Sequence, residues 1–287
     1  MADVTLTPEL LARIEGIDVA NLQPGATVRM PDFLLVGPQR TGTTWMAYHL
    51  GRHPEVYIPP EKELYFFSGL GQHDDPHHGS DRLSWYSEKL TPTRRHLIRK
   101  ALHGLATLRV FRPVRRVGEA SATYAVMSAE LIRNIFALNP DVTIIITLRD
   151  PVDRAWSHAR LEFKARGWTD PTAVPFREFE AFYQSDLLRR SSDYAAIIRR
   201  WKALARPGHV HVMQFSKLEQ HPQAFLHDLM AFVGLTWFDR RFFFTPSVAL
   251  RIGATQGRTV PEQHRAYLET LLHDEIRAAR YTDHQAP

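Results

Sequence analysis

Phe33-Leu34-Leu35-Val36-Gly37-Pro38-Gln39-Arg40-Thr41-Gly42-Thr43-Thr44-Trp45 runs from an apolar tetrad, through a loop with two glycines, into a segment that continues with helical character. A short buried strand that turns through glycine into a helix start is the frame of a phosphate loop, whose backbone N–H groups and helix N-terminus cradle an anion. The spacing departs from that of nucleotide triphosphatases. In those, the residue after the second glycine is a lysine that reaches the β- and γ-phosphates; here Thr43 takes its place and a cation, Arg40, stands three residues earlier. A cradle without that lysine predicts a nucleotide whose transferable group is not a γ-phosphoryl.

Working outward from this loop, residues 142–148 (Val-Thr-Ile-Ile-Ile-Thr-Leu) read as a second buried strand, with shorter strand candidates at 56–58 and 209–215. Helical patterns fall at 125–138, 193–205, 222–233 and 261–280, and a short N-terminal helix is expected over residues 7–20. Strands alternating with helices predict an α/β fold with a central parallel sheet flanked by helices, in three layers. With 287 residues and 44% hydrophobic residues, the chain suits one domain, divided into an N-terminal helical extension (1–30) and a catalytic core (32–280).

The absence of cysteine excludes disulfides, thiolate catalysis and cysteine zinc sites, and fits a reducing compartment. No membrane span or leader pattern is visible, so a cytoplasmic location is expected. Fifteen histidines leave other metal chemistry open. His73, His77 and His78, near Asp74 and Asp75, read as a polar loop without a helix or strand to fix ligand spacing, and no metal is assigned. The net charge of +5 is unevenly spread, because residues 89–116 hold nine Lys/Arg and no acid. Within that stretch Leu97, Ile98, Ala101, Leu102, Leu105 and Leu108 follow helical spacing, which predicts a helix packed on the core with a solvated basic face. Aromatic interleaving is lacking, so no nucleic-acid partner is expected.

A second functional signal is Arg149-Asp150-Pro151-Val152-Asp153-Arg154-Ala155-Trp156-Ser157, where the central strand ends and a helix begins. Ligands of open α/β sheets bind at such carboxyl ends. Asp150 can cap the helix with proline at its first position, and Arg149 and Ser157 can face one anion. Arg154 is expected to pair with a nearby acid.

Together, these two motifs resemble those of the sulfotransferases that use 3′-phosphoadenosine 5′-phosphosulfate (PAPS), an α/β family with a P-loop-like fold. The wording of 33–44 and of Lys62-Glu63-Leu64-Tyr65-Phe66-Phe67 is most similar to the heparan sulfate N- and O-sulfotransferase branch. The resemblance implies that Arg40, Thr41, Gly42, Thr43 and Thr44 bind the 5′-phosphosulfate, that Arg149 and Ser157 hold the 3′-phosphate, and that Gly257 and Arg258 close over it. It also implies Glu63 as general base, Arg40 as a catalytic cation, a glycan or small-molecule acceptor, and no metal requirement. Three positions depart from that branch: Tyr65 for a histidine, Ala120 for a lysine and Gln256 for a lysine. Glu119 either shapes the site or is a buried structural acid. The competing readings are a nucleotide-dependent kinase, which needs a lysine equivalent at 43 and a magnesium-binding acid, and a non-catalytic nucleotide or nucleic-acid-binding module. Neither the acceptor nor the oligomeric state is encoded in a readable motif.

Overall fold

The computed structural model describes residues 2–75, 78–108, 111–168, 170, 173–235 and 259–283. Strands β1 (Ala2–Thr5) and β2 (Thr27–Met30) form an antiparallel pair. Strands β3 (Phe33–Gly37), β4 (Val56–Tyr57), β5 (Arg116–Ala120), β6 (Thr143–Leu148) and β7 (Val210–Gln214) form a parallel sheet in the order β4-β5-β3-β6-β7. The strand of the phosphate loop is therefore central. Its partner β6 is the strand that ends in Arg149.

Side-chain alternation along β3 and β6 splits the core into two layers. Leu34, Val36, Ile144 and Ile146 pack with Ile132, Ile135, Ile197 and Trp201 from the helices Ala129–Leu138 and Tyr194–Leu204. Phe33, Leu35 and Ile145 face the opposite way, onto Trp45, Met46 and Leu50 of the helix Thr43–Arg52 and Phe225 and Leu229 of Pro222–Phe232. Each fully buried side chain of this kind contributes roughly 1.5–3 kcal/mol of transfer free energy. This is the three-layer α/β arrangement expected from the sequence. A third cluster, around Val152, Ala155, Phe163, Phe179, Tyr183 and Leu268, fastens the helix Pro151–Ala165 to Phe176–Tyr183 and Glu262–Leu271.

Several element boundaries differ from expectation. The N-terminal helix shrinks to Pro8–Leu11, capped by the Thr7 hydroxyl, and a strand precedes it. Beyond Leu11 the chain leaves the helix, with Gly16 at φ 70° and the Asp18 main chain bonded to Asp81 and Leu83 instead of to a helical turn. The 125–138 pattern divides into a 3₁₀ turn, Ala122–Val126, and a helix whose N-cap is Ser128. The 261–280 pattern divides into Glu262–Leu271 and His273–Asp283.

The helix Arg94–Leu108 forms and exposes Arg94, Arg95 and Arg99 as expected, but its apolar residues do not pack on the core. Leu97, Ile98, Leu102 and Leu105 are 41, 52, 61 and 57% exposed, whereas Gly104 is buried and Lys100 turns inward. The Lys100 ammonium donates to the Gly51 and His53 carbonyls at the end of the helix Thr43–Arg52. Helix C-terminal carbonyls attract cations, so a lysine rather than a leucine docks this helix. No described helix is long and apolar enough to cross a membrane.

Candidate functional site

Chain direction in the phosphate loop is set by its two glycines. Gly37 leaves β3 at φ 93°, and a Cβ there would lie 2.6 Å from the Ala122 carbonyl oxygen. Gly42, at φ 92°, is the N-cap of Thr43–Arg52 and sits against Leu218 and Phe215. Having no side chain, it leaves the first-turn N–H groups at Thr43 and Thr44 for an incoming anion. The Thr41 hydroxyl is turned inward, donating to the Pro38 carbonyl at 2.7 Å, so Thr41 braces the loop through its side chain and offers only its amide.

Arg40 joins the two sequence signals. Its Nε donates to the Ser157 hydroxyl oxygen at 2.9 Å, and its carbonyl accepts from Arg149 at 3.2 Å. Arg40, Arg149 and Ser157 therefore meet at the carboxyl ends of β3 and β6. Asp150 caps Pro151–Ala165 by accepting from the Asp153 amide, which sets the rotation that buries Ser157 beneath Arg40. Burial, then the Arg149 and Arg160 charges, push the Arg40 guanidinium down from its ordinary value. Crowded cations of this kind are relieved by an anion. Two groups that position Arg149 carried no motif: the Tyr194 hydroxyl donates to its carbonyl at 2.7 Å, and the Phe215 ring lies 4.7 Å from its guanidinium. Phe215 follows directly on β7, so the general rule for strand carboxyl ends was the one signal available for it.

Glu63 is on a segment held by β5, its amide donating to the Ala120 carbonyl at 3.1 Å. Its two carboxylate oxygens accept from the Lys62 ammonium and the Tyr65 hydroxyl. Burial, followed by the hydrogen bond and charge of Glu63, raises Tyr65 far above the usual phenol range, so that hydroxyl stays a donor. Arg40, Glu63 and Tyr65 have φ of 72°, 65° and 54°, the positive-φ non-glycine residues among those described. Such backbone costs of order 1 kcal/mol or more each and concentrates at functional sites. Glu119 proves to be a buried structural acid. It accepts from Tyr86, from Ser121 at 2.6 Å and from Tyr124 at 3.3 Å, while burial pushes its carboxyl up.

Arg154 does not find the acid expected for it. It is fully buried and donates to the Leu188 carbonyl and, at 2.7 Å, to Ser192, with no ion pair among the described residues. The helix turn that aims Ser157 at Arg40 directs Arg154 into the third apolar cluster, where only carbonyls and hydroxyls are within reach. Gly257 and Arg258, with Gln256, lie outside the described residues.

His158 borders the site and was not anticipated. Burial, then Arg154 and Arg40, push it down to about 3. Its folded value is below the unfolded one of about 6.5, so the unfolded chain binds the extra proton between these limits. Its contribution to stability is complete above about pH 6.5 and is lost as pH falls toward 3, at up to ~1.4 kcal/mol per pH unit. Urea unfolding of wild type and His158→Gln between pH 7 and pH 4 checks this; the wild type should show the steeper loss, and equal slopes would clear His158 of the effect.

With the geometry in place, comparisons with known proteins give the following. Mouse bifunctional heparan sulfate N-deacetylase/N-sulfotransferase 2 is 30% identical over 227 residues, covering 73% of this chain and 22% of the mouse protein, so the match spans about a fifth of that relative. A sulfotransferase from Alicyclobacillus acidocaldarius superposes with a TM-score of 0.59 at 24% identity, covering 91% of this chain and 98% of that one. Mouse sulfotransferase SULT7A1, solved in complex with PAP, gives a TM-score of 0.54 at 16% identity over 98% of this chain and 95% of its own, a likeness of fold. Residues 31–239, which run from the start of β3 past β7 and include both halves of the Arg40 cluster, match the Sulfotransferase family, and the chain belongs to that family.

Proposed function

We propose that the chain, as one catalytic domain, transfers a sulfuryl group from PAPS to a hydroxyl or amine of a carbohydrate or small-metabolite acceptor. The observation that carries this reading is the sharing of Arg40 between the phosphate loop, on whose backbone it sits, and the Arg149–Ser157 end of β6. Two anion-binding elements joined by one arginine suit a nucleotide with phosphates at both the 5′ and 3′ positions. A nucleoside triphosphate has no use for the second element.

In this mechanism the amides of Thr41, Gly42, Thr43 and Thr44, with the Thr43 and Thr44 hydroxyls, hold the 5′-phosphosulfate. Arg149 and Ser157 hold the 3′-phosphate, and Gly257 and Arg258 are assigned to the same phosphate by family resemblance. As the acceptor oxygen or nitrogen bonds to sulfur and the bond from sulfur to the 5′-phosphate oxygen breaks, Arg40 and the loop amides meet the charge growing on that phosphate. Glu63 takes the proton released by the acceptor. Each of its oxygens has two lone-pair directions, so the Lys62 and Tyr65 contacts leave room for that proton. No metal enters these steps, because arginine and amides supply the positive charge. Tyr65 at a usual histidine position, and the small buried Ala120 at a usual lysine position, make the acceptor side less cationic than in the heparan branch. This favours an acceptor with little negative charge.

Calorimetric titration with 3′-phosphoadenosine 5′-phosphate in metal-free buffer, against adenosine 5′-diphosphate and magnesium-ATP, tests the assignment. The bisphosphate should bind most tightly and without metal. Arg149→Ala should weaken it by about 10- to 150-fold, the equivalent of ~1.5–3 kcal/mol for a hydrogen bond to a charged group, with little effect on the diphosphate. A preference for magnesium-ATP would return the kinase reading to the front.

A further inference from the structure

We propose that His73, His78 and Asp81 form a binding site for a zinc-type divalent cation on the loop that precedes the helix Leu83–Lys89. The sequence suggested no fixed ligand spacing for this histidine-rich stretch, and the structure supplies it. One ligand atom from each of the three residues falls within 4.8 Å of the others. The His73 Nε2 is 3.4 Å from one Asp81 carboxylate oxygen, and the His78 Nε2 is 3.7 Å from the other. Both separations are too long for hydrogen bonds, which center near 2.9 Å. They are close to the edge of a tetrahedron around zinc, where metal–ligand distances of 2.0–2.1 Å place neighbouring ligand atoms about 3.3 Å apart.

Two further observations point to an ion rather than to a chance cluster. The Asp81 Oδ1 is buried and makes no hydrogen bond among the described residues, a costly state for a carboxylate oxygen unless a cation completes it. The His78 ring is already oriented as a ligand. Its Nδ1 lies 3.0 Å from the Gly69 carbonyl, which can only accept, so Nδ1 is the donor there and Nε2 is the nitrogen left to face Asp81. A histidine fixed through its far nitrogen by a carbonyl is the usual support of a metal ligand.

The frame beneath the site is also built. The Asp81 carbonyl accepts from the Asp18 amide at 2.8 Å, and the Asp18 carbonyl accepts from Leu83 at 3.0 Å, so Asp81 is held by the N-terminal segment at the start of the helix Leu83–Lys89. Successive turns, Gln72 onto Gly69, Asp75 onto Gln72 and His78 onto Asp75, bring the histidines back to it. Two imidazoles and one carboxylate without a thiolate select zinc, cobalt or nickel over calcium or magnesium, which want more oxygen ligands. The His73 side chain is 71% exposed, so the site opens to solvent and leaves a fourth position for water or an acceptor group. This loop continues from the helix Phe66–Gly69, which follows Glu63 and Tyr65. A bound ion would pin this loop to the N-terminal segment that carries Asp18.

The test uses the full chain after treatment with a chelator and desalting, with zinc alone as the titrant and cobalt as a spectroscopic probe. One equivalent of zinc should bind, and the cobalt form should show the strong visible absorption of a tetrahedral site. His78→Ala and Asp81→Asn should each weaken zinc by at least tenfold, and His96→Ala, on the helix Arg94–Leu108, should leave it unchanged. His73→Ala alters an exposed side chain, so it guards against loss of fold; it should weaken zinc and abolish the tetrahedral cobalt spectrum. Absence of saturable zinc binding by wild type, or equal affinity in wild type and the His73→Ala and His78→Ala variants, would overturn the site. Neither readout depends on nucleotide binding or on sulfuryl transfer.

Discussion

Glu63→Gln should lower kcat by about 10²- to 10⁴-fold, the usual contribution of a positioned general base, while the affinity for 3′-phosphoadenosine 5′-phosphate changes by less than about twofold. Glutamine keeps the shape and one acceptor oxygen, so it can still receive a hydrogen bond from Lys62 or Tyr65, but it cannot take a proton. The segment is also held independently of that side chain, by the Glu63 amide on the Ala120 carbonyl and the Tyr65 amide on the Ser121 hydroxyl. The loss should therefore fall on turnover and leave Tm nearly unchanged. Transfer of labelled sulfate to an acceptor found by screening gives kcat, and calorimetry gives the affinity. A variant with wild-type kcat would reduce Glu63 to a tether for Lys62 and Tyr65.

Arg40→Ala should cost about 10²- to 10³-fold in kcat, the magnitude seen when one donor aimed at developing charge is removed, and should also weaken the bisphosphate. The double effect follows from its two contacts. The guanidinium holds Ser157, whereas the carbonyl that accepts from Arg149 is main chain and survives the substitution. Arg149→Ala should act on binding of the 3′-phosphate far more than on kcat. Arg40→Lys keeps the charge but loses the planar fork that reaches Ser157, so it should recover part of the affinity and little of the rate. If Arg40→Ala and Arg149→Ala prove indistinguishable in kcat and affinity, the separate assignment of the two phosphates fails.

The parts of this molecule that were legible in the sequence are those determined by near neighbours. The strand and helix around Gly37 and Gly42, the Asp150 cap and the buried run of β6 are set by local periodicity and turn chemistry. The sequence also placed Arg40 and Arg149 at strand ends and Ser157 two turns into the following helix, and the structure joins the three through Arg40. What could not be read depends on partners distant in the chain. Residues 2–5 become a strand because 27–30 offer an edge, and the helix Arg94–Leu108 leaves Leu97, Leu102 and Leu105 outward because carbonyls at Gly51 and His53 capture Lys100. Asp81 joins two histidines because Asp18, more than sixty residues away, fixes its backbone. The left-handed backbone of Glu63 and Tyr65 had no signal either, since non-glycine residues rarely adopt it and sequence patterning does not mark the exceptions.

Pairing along β3 holds one more consequence. Leu35 is opposite Ile145 and Gly37 opposite Ile146, so Val36 is an extra residue that shifts the register just before the loop. Side chains and amides alternate along a strand with a period of two, and one inserted residue reverses their sense for everything that follows. The direction in which the cradle opens thus depends on the number of residues in β3 as well as on the glycine that ends it. Apolar exchanges at Leu34 or Val36 only repack a layer of the core, whereas removal of one residue there would turn the same loop, with every side chain intact, toward the wrong side of the sheet.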